Sequence, residues 1–99
     1  MVLEVATIII KEGTNAQFEE AIREGGAKYL SQATGYLSHE VQRCIEEPSR
    51  YVLLVKWESV EAHEQNFRQT DLFPQWRGLI GGYFAQPPHV VHCESVPLT

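Results

Sequence analysis

The run Tyr51-Val52-Leu53-Leu54-Val55 is apolar at every position. It lies in a segment, Arg50 to Glu58, that reads as a β-strand, and a strand sends alternate side chains to opposite faces of its sheet. With both faces apolar, neither side of the sheet can be left in water. The rest of the chain supplies cover for one side. Val2 to Lys11 is a β-branched run ending at Gly13 and predicts a first strand. Thr14-Asn15-Ala16-Gln17 has the Thr-x-x-Gln form of a capping box. Phe18, Ala21, Ile22, Gly25, Tyr29, Leu30 and Ala33 then recur at helical spacing, with Glu19, Glu20, Arg23 and Glu24 on the opposite face. Gly25-Gly26 weakens that helix and predicts either a close approach to the sheet or a break.

Tyr36 to Glu46 reads as a second strand, with Leu37, His39, Val41 and Ile45 on one side, and the turn Glu47-Pro48-Ser49 joins it to the third as a hairpin. Ser59 is the expected N-cap of a helix reaching about Gln69, with Val60, His63 and Phe67 facing inward. Asp71 is the expected cap of a further short helix that carries Leu72, Phe73, Trp76, Leu79, Ile80 and Tyr83 on its apolar face and tolerates Pro74 in its first turn. His89 to Val96 is a last strand. The order β-α-β-β-α-α-β predicts one α+β domain over residues 1–99, a ferredoxin-like split β-α-β with a four-stranded antiparallel sheet and its helices on one face. The other face is expected to pack on the same face of a second copy, giving a homodimer.

A net charge of −5, with eight scattered basic residues, excludes a nucleic-acid partner. No stretch approaches the length that spans a bilayer. The amino terminus has Glu4 inside its apolar run and no basic start, so no signal peptide is expected; free thiols at Cys44 and Cys93 fit a cytoplasmic protein. His39 and His92 lie on different strands without ligand spacing, and no metal site is expected. Nucleotide motifs and Ser-His-Asp or Cys-His arrangements are absent from the sequence, and no cofactor is expected.

The segment Lys56-Trp57-Glu58-Ser59-Val60-Glu61-Ala62-His63-Glu64-Gln65-Asn66-Phe67 resembles the strand-to-helix junction of the antibiotic biosynthesis monooxygenase family, where a Trp-Glu-Ser-x-x-Ala core leads into a helix. Thr70-Asp71-Leu72-Phe73-Pro74-Gln75-Trp76 and Pro87-Pro88-His89-Val90-Val91-His92 also fit, so the likeness covers nearly the whole chain. It implies a dimeric α+β barrel. It also implies a cofactor-independent monooxygenase that oxidises an electron-rich aromatic or quinol-like small molecule with molecular oxygen. In the branch acting on polyketide anthrones, Trp57 and Arg77 match pocket residues, while this chain has Leu53 and His63 where that branch has Asn and Tyr. The haem-degrading pattern is not met at Ala6, Thr7, Asn66, Phe67 or Arg77.

The resemblance assigns catalysis to three residues: His63 to proton transfer, Arg77 to stabilising anionic charge and Trp57 to orienting the ring. Asn66, Phe67, Phe73, Trp76 and Tyr83 are expected to bind substrate. Each has a plainer reading: a hydrogen-bonded core histidine, a surface arginine, aromatic packing or a solvated helix position. Two other outcomes stay open, a non-oxygenase barrel that binds or isomerises a small metabolite, and a barrel whose cavity is filled by its own side chains.

Overall fold

A computed structural model describes all 99 residues. Its order is β1 (Val2–Ile9), α1 (Asn15–Lys28), β2 (Tyr36–Arg43), β3 (Arg50–Trp57), α2 (Val60–Asn66), α3 (Leu72–Ile80) and β4 (His89–Cys93), with single 3-10 turns at Leu30–Gln32 and Gly81–Tyr83. The four strands form one antiparallel sheet in the order β2-β3-β1-β4. This is the expected split β-α-β architecture.

Alternation in β1 and β3 decides where the core lies. Glu4, Ala6 and Ile8 on β1 and Tyr51, Leu53, Val55 and Trp57 on β3 are buried beneath the helices, joined by Phe18 and Ile22 from α1 and Trp76 and Ile80 from α3. Phe18 is fully buried against Tyr51, its ring centroid 4.8 Å away, and burying such a side chain contributes roughly 1.5–3 kcal/mol. On the opposite side of the sheet Leu3, Val5, Ile9, Val52 and Leu54 are only half-buried, and Val91 is exposed. Both faces of β3 are apolar as expected, and the chain's own helices cover only one of them.

Helix α1 is unbroken through Gly25-Gly26, so of the two expectations the close approach holds. A Cβ on Gly26 would stand 2.6 Å from Nε2 of His39 on β2, and one on Gly25 would stand 2.9 Å from the Trp76 ring on α3. These two glycines let α1 sit against both sheet and helix.

Several local expectations are corrected. Thr14 makes no side-chain cap; its hydroxyl donates back to the Lys11 carbonyl, which ties down the turn before α1 instead. Asp71 does not cap α3 either, because the preceding Thr70 hydroxyl accepts from the Leu72 amide. Ser59 does cap α2, accepting from the Ala62 amide at 3.1 Å. Helix α2 ends at Asn66 rather than near Gln69, as the Arg68 amide turns back to the His63 carbonyl. Val60 is exposed and Ala62 takes the inward place, packing under Gly35, whose φ of +94° suits glycine. An irregularity between Tyr36 and Ser38 takes Leu37 off the inner face of β2, and Ile45 lies beyond the strand in solvent. Strand β4 stops at Cys93.

Candidate active site

Between the helices and the inner face of the sheet lies a cavity of about 400 Å³, within the range of small-molecule pockets. Most of its lining is apolar, including Leu53, Phe67, Phe73, Trp76 and Phe84, and its charged or polar members are Glu4, His63, Arg68 and Arg77. His63 and Arg77 both border this void, so the chain's own side chains do not fill it.

Glu4 is the unusual member. Strand alternation places it on the inner face beside Ala6 and Ile8, where it is 5% exposed. Its Oε1 accepts the indole N–H of Trp57 at 3.0 Å and lies 3.4 Å from Nε2 of His63. Burial disfavours the carboxylate and pushes the pKa of Glu4 up to about 7, against the opposing effects of the Trp57 hydrogen bond and the Arg68 charge. A carboxyl of that kind changes charge near neutrality, which is what a general base or acid requires.

His63 lies four residues after the Ser59 cap, in the last turn of the short helix α2, and its ring stacks on Trp57 with centroids 5.1 Å apart. It is 3% exposed, and burial, with His92 and Arg68 nearby, lowers its pKa to about 4. The imidazole is therefore neutral at physiological pH. Its second nitrogen, Nδ1, lies 2.8 Å from Nε2 of His92 on β4. Glu64 is nearby, its Oε1 4.0 Å from the same His63 nitrogen, and the three donor atoms fall within 4.8 Å of one another. Two imidazoles on one tetrahedral zinc would stand about 3.3 Å apart, given Zn–N bonds of roughly 2.0–2.1 Å. The 2.8 Å separation is that of an N–H···N hydrogen bond.

At the other side of the cavity the Arg77 guanidinium lies 5.2 Å from the Phe84 ring centroid and 6.0 Å from that of Phe73. Arg68 lies 5.1 Å from the Phe73 centroid. Aromatic faces hold both cations without neutralising them, leaving positive charge beside an apolar space.

The sequence matches the model of the antibiotic biosynthesis monooxygenase family over residues 1–79. The chain belongs to that family. Among its relatives is the uncharacterized protein YczJ of Bacillus subtilis (strain 168), 38% identical over 96 residues that cover 97% of this chain and all of YczJ. A crystal structure described as a candidate antibiotic biosynthesis monooxygenase from Bordetella bronchiseptica superposes with a TM-score of 0.91 at 38% identity, covering 97% of each chain. The fold is also that of SnoaB, a cofactor-independent oxygenase from Streptomyces nogalater, with a TM-score of 0.80 at 16% identity over 95% of this chain and 91% of the other. Membership of the antibiotic biosynthesis monooxygenase family supports a general monooxygenase-like role. No helix is long and apolar enough to cross a membrane.

Within this family member, the expected site residues divide. His63, Arg77, Phe67, Phe73 and Trp76 line the one cavity. Trp57 does not line it: it is fully buried, its indole N–H donating to Glu4 and its ring stacked on His63. Asn66 is exposed and donates to the Thr34 carbonyl, because the end of α2 faces the loop before β2. Tyr83 packs on the far side of the helices, 6.2 Å from Phe18. Glu4, Arg68 and His92 were not expected in the site. For Glu4 the signal was present, since period-2 alternation puts it on the same face as Ala6 and Ile8. His92 becomes visible only with the strand register that pairs it with Glu4.

Proposed function

We propose that this chain is a cofactor-independent monooxygenase that uses molecular oxygen to oxidise an electron-rich aromatic or quinol-like small molecule, working as a homodimer. The observation that carries this reading is the buried Glu4, bonded to Trp57 and adjacent to His63, facing the same apolar cavity of about 400 Å³ as Arg77. A phenol or an activated methylene bound there gives its proton to the Glu4 carboxylate. The resulting anion is stabilised by the Arg77 guanidinium through charge-assisted hydrogen bonding. It passes one electron to oxygen, and the radical pair combines to form a carbon–oxygen bond. Glu4 returns the proton to the peroxide. Its carboxylate then removes the remaining hydrogen of that carbon as a proton, and the C–H electron pair forms the carbonyl as the O–O bond breaks. The departing hydroxide takes that proton and leaves as water. The substrate supplies every electron, so the sequence balances without a reducing cofactor.

The role first assigned to His63 passes largely to Glu4. With its pKa lowered to about 4, the imidazole is a weaker base at neutral pH than the carboxyl beside it. Dimer formation is supported by the half-buried Leu3, Val5, Val52 and Leu54 on the open sheet face, which a second copy would cover. A second reading draws on the same pair: a carboxyl poised near neutrality can also move a proton between two carbons, giving an isomerase. Oxygen uptake by chelator-treated protein separates the two. Uptake with at least one member of a panel of anthrones and hydroquinones is expected, and proton exchange into a carbonyl compound without uptake would replace oxygenation by isomerisation.

A further inference from the structure

We infer that His92 is the solvent-side end of a proton relay, Glu4–His63–His92, through which the buried carboxyl exchanges its proton without water entering the cavity. The inference rests on Glu4 as the base. Glu4 and His63 are almost wholly buried, 5% and 3% exposed, so when Glu4 rests as the neutral acid, the proton it must lose before it can act as base needs a path outward through protein groups. The His63 ring bridges the gap, with Nε2 3.4 Å from the Glu4 carboxyl and Nδ1 2.8 Å from His92. His92 lies on the edge strand β4, where the register pairs it directly with Glu4, and it is half-buried rather than enclosed. It does not line the cavity, so contact with substrate does not explain its place there.

A neutral imidazole has one N–H and one bare nitrogen, and it can take a proton at one while releasing another. Outward, the Glu4 hydroxyl proton passes to Nε2 of His63, the Nδ1 proton of His63 passes to Nε2 of His92, and the Nδ1 proton of His92 goes to water. Each ring begins and ends neutral and one proton leaves. The end state has His63 donating to the Glu4 carboxylate, and the opposite shift recharges the acid. The charged groups facing this path are Arg68, which favours the carboxylate, and Glu64, which opposes it.

The test has a part that needs no substrate. In ¹⁵N-imidazole NMR of the wild-type chain, raising the pH through the ionisation of Glu4 is expected to move the His63 proton from Nδ1 to Nε2. A His63 tautomer that does not change with pH overturns the relay. In turnover, His92→Gln keeps a polar side chain that cannot relay. It is expected to lower kcat on the order of tenfold or more, enlarge the solvent deuterium isotope effect and regain rate when free imidazole is added. Unchanged kcat and isotope effect in His92→Gln, with Glu4→Gln inactive, overturn the relay and leave Glu4 as base. Full activity in Glu4→Gln instead removes the base itself.

Discussion

Replacing Glu4 by Gln is expected to make the protein more stable at pH 8 while removing its activity. Folding lifts the Glu4 carboxyl from 4.5 to about 7, a gap worth about 3 kcal/mol at alkaline pH. Because the folded value is raised, the native state binds the extra proton; the associated stability is complete below pH 4.5 and is lost as pH rises through about 7. His63 behaves oppositely. Its folded value falls from 6.5 to about 4, so its contribution is complete above 6.5 and is lost as pH falls through about 4, again by about 3 kcal/mol. Between about pH 4.5 and 6.5 the two slopes cancel, and this part of the wild-type profile is nearly level. The substitution leaves only the His63 slope, while the introduced amide oxygen still accepts from Trp57. Urea unfolding at a series of pH values, compared as the difference between variant and wild type, isolates the effect from the other carboxylates. The difference should grow with pH and reach about 3 kcal/mol in favour of the variant by pH 8. A difference independent of pH, or a variant less stable at pH 8, would refute the reasoning.

Trp57→Phe removes the indole donor that favours the Glu4 carboxylate, so ¹³C-carboxyl NMR should show Glu4 titrating still further above its ordinary value, with the rising limb of the pH–rate profile shifted the same way. Arg77→Met should lower kcat/KM for phenolic substrates by about 10²–10³, while thermal unfolding stays within about 0.5 kcal/mol of wild type. Leu54→Lys, on the open sheet face, should give a folded monomer by sedimentation; a dimer persisting at micromolar concentration would count against that interface. Gly25→Ala must push the Trp76 ring away from 2.9 Å, and overpacking of roughly 1–3 kcal/mol should outweigh a propensity gain near 1 kcal/mol. Chemical denaturation would show the net loss.

The fold was legible in the sequence because its strongest signals are local. The β-branched run of β1, the helical spacing from Phe18 to Leu30 and the hairpin turn at Pro48 each depend on neighbouring residues, and the all-apolar β3 required a sheet covered on both sides. Capping was less legible: Thr14 and Asp71 have suitable side chains, yet Lys11 and Thr70 supplied the competing partners. The aromatic wall of the site followed from α2 and α3 alone. Its acid–base centre did not, because Glu4, Trp57, His63 and His92 come from four separate elements and meet only through the sheet register and the position of α2. An acid on the buried side of β1 was the one mark left in the sequence.

In the proposed reaction every later step follows from Glu4 acting as the base that starts oxygenation. Oxygen consumption by wild type and Glu4→Gln, followed across pH with a hydroquinone or anthrone that supports turnover, tests this directly. The prediction is a wild-type kcat/KM that rises with pH to a plateau, with a midpoint near 7, and a loss of at least about 10² in the variant. Comparable uptake by the variant, with the same dependence on pH, would contradict it.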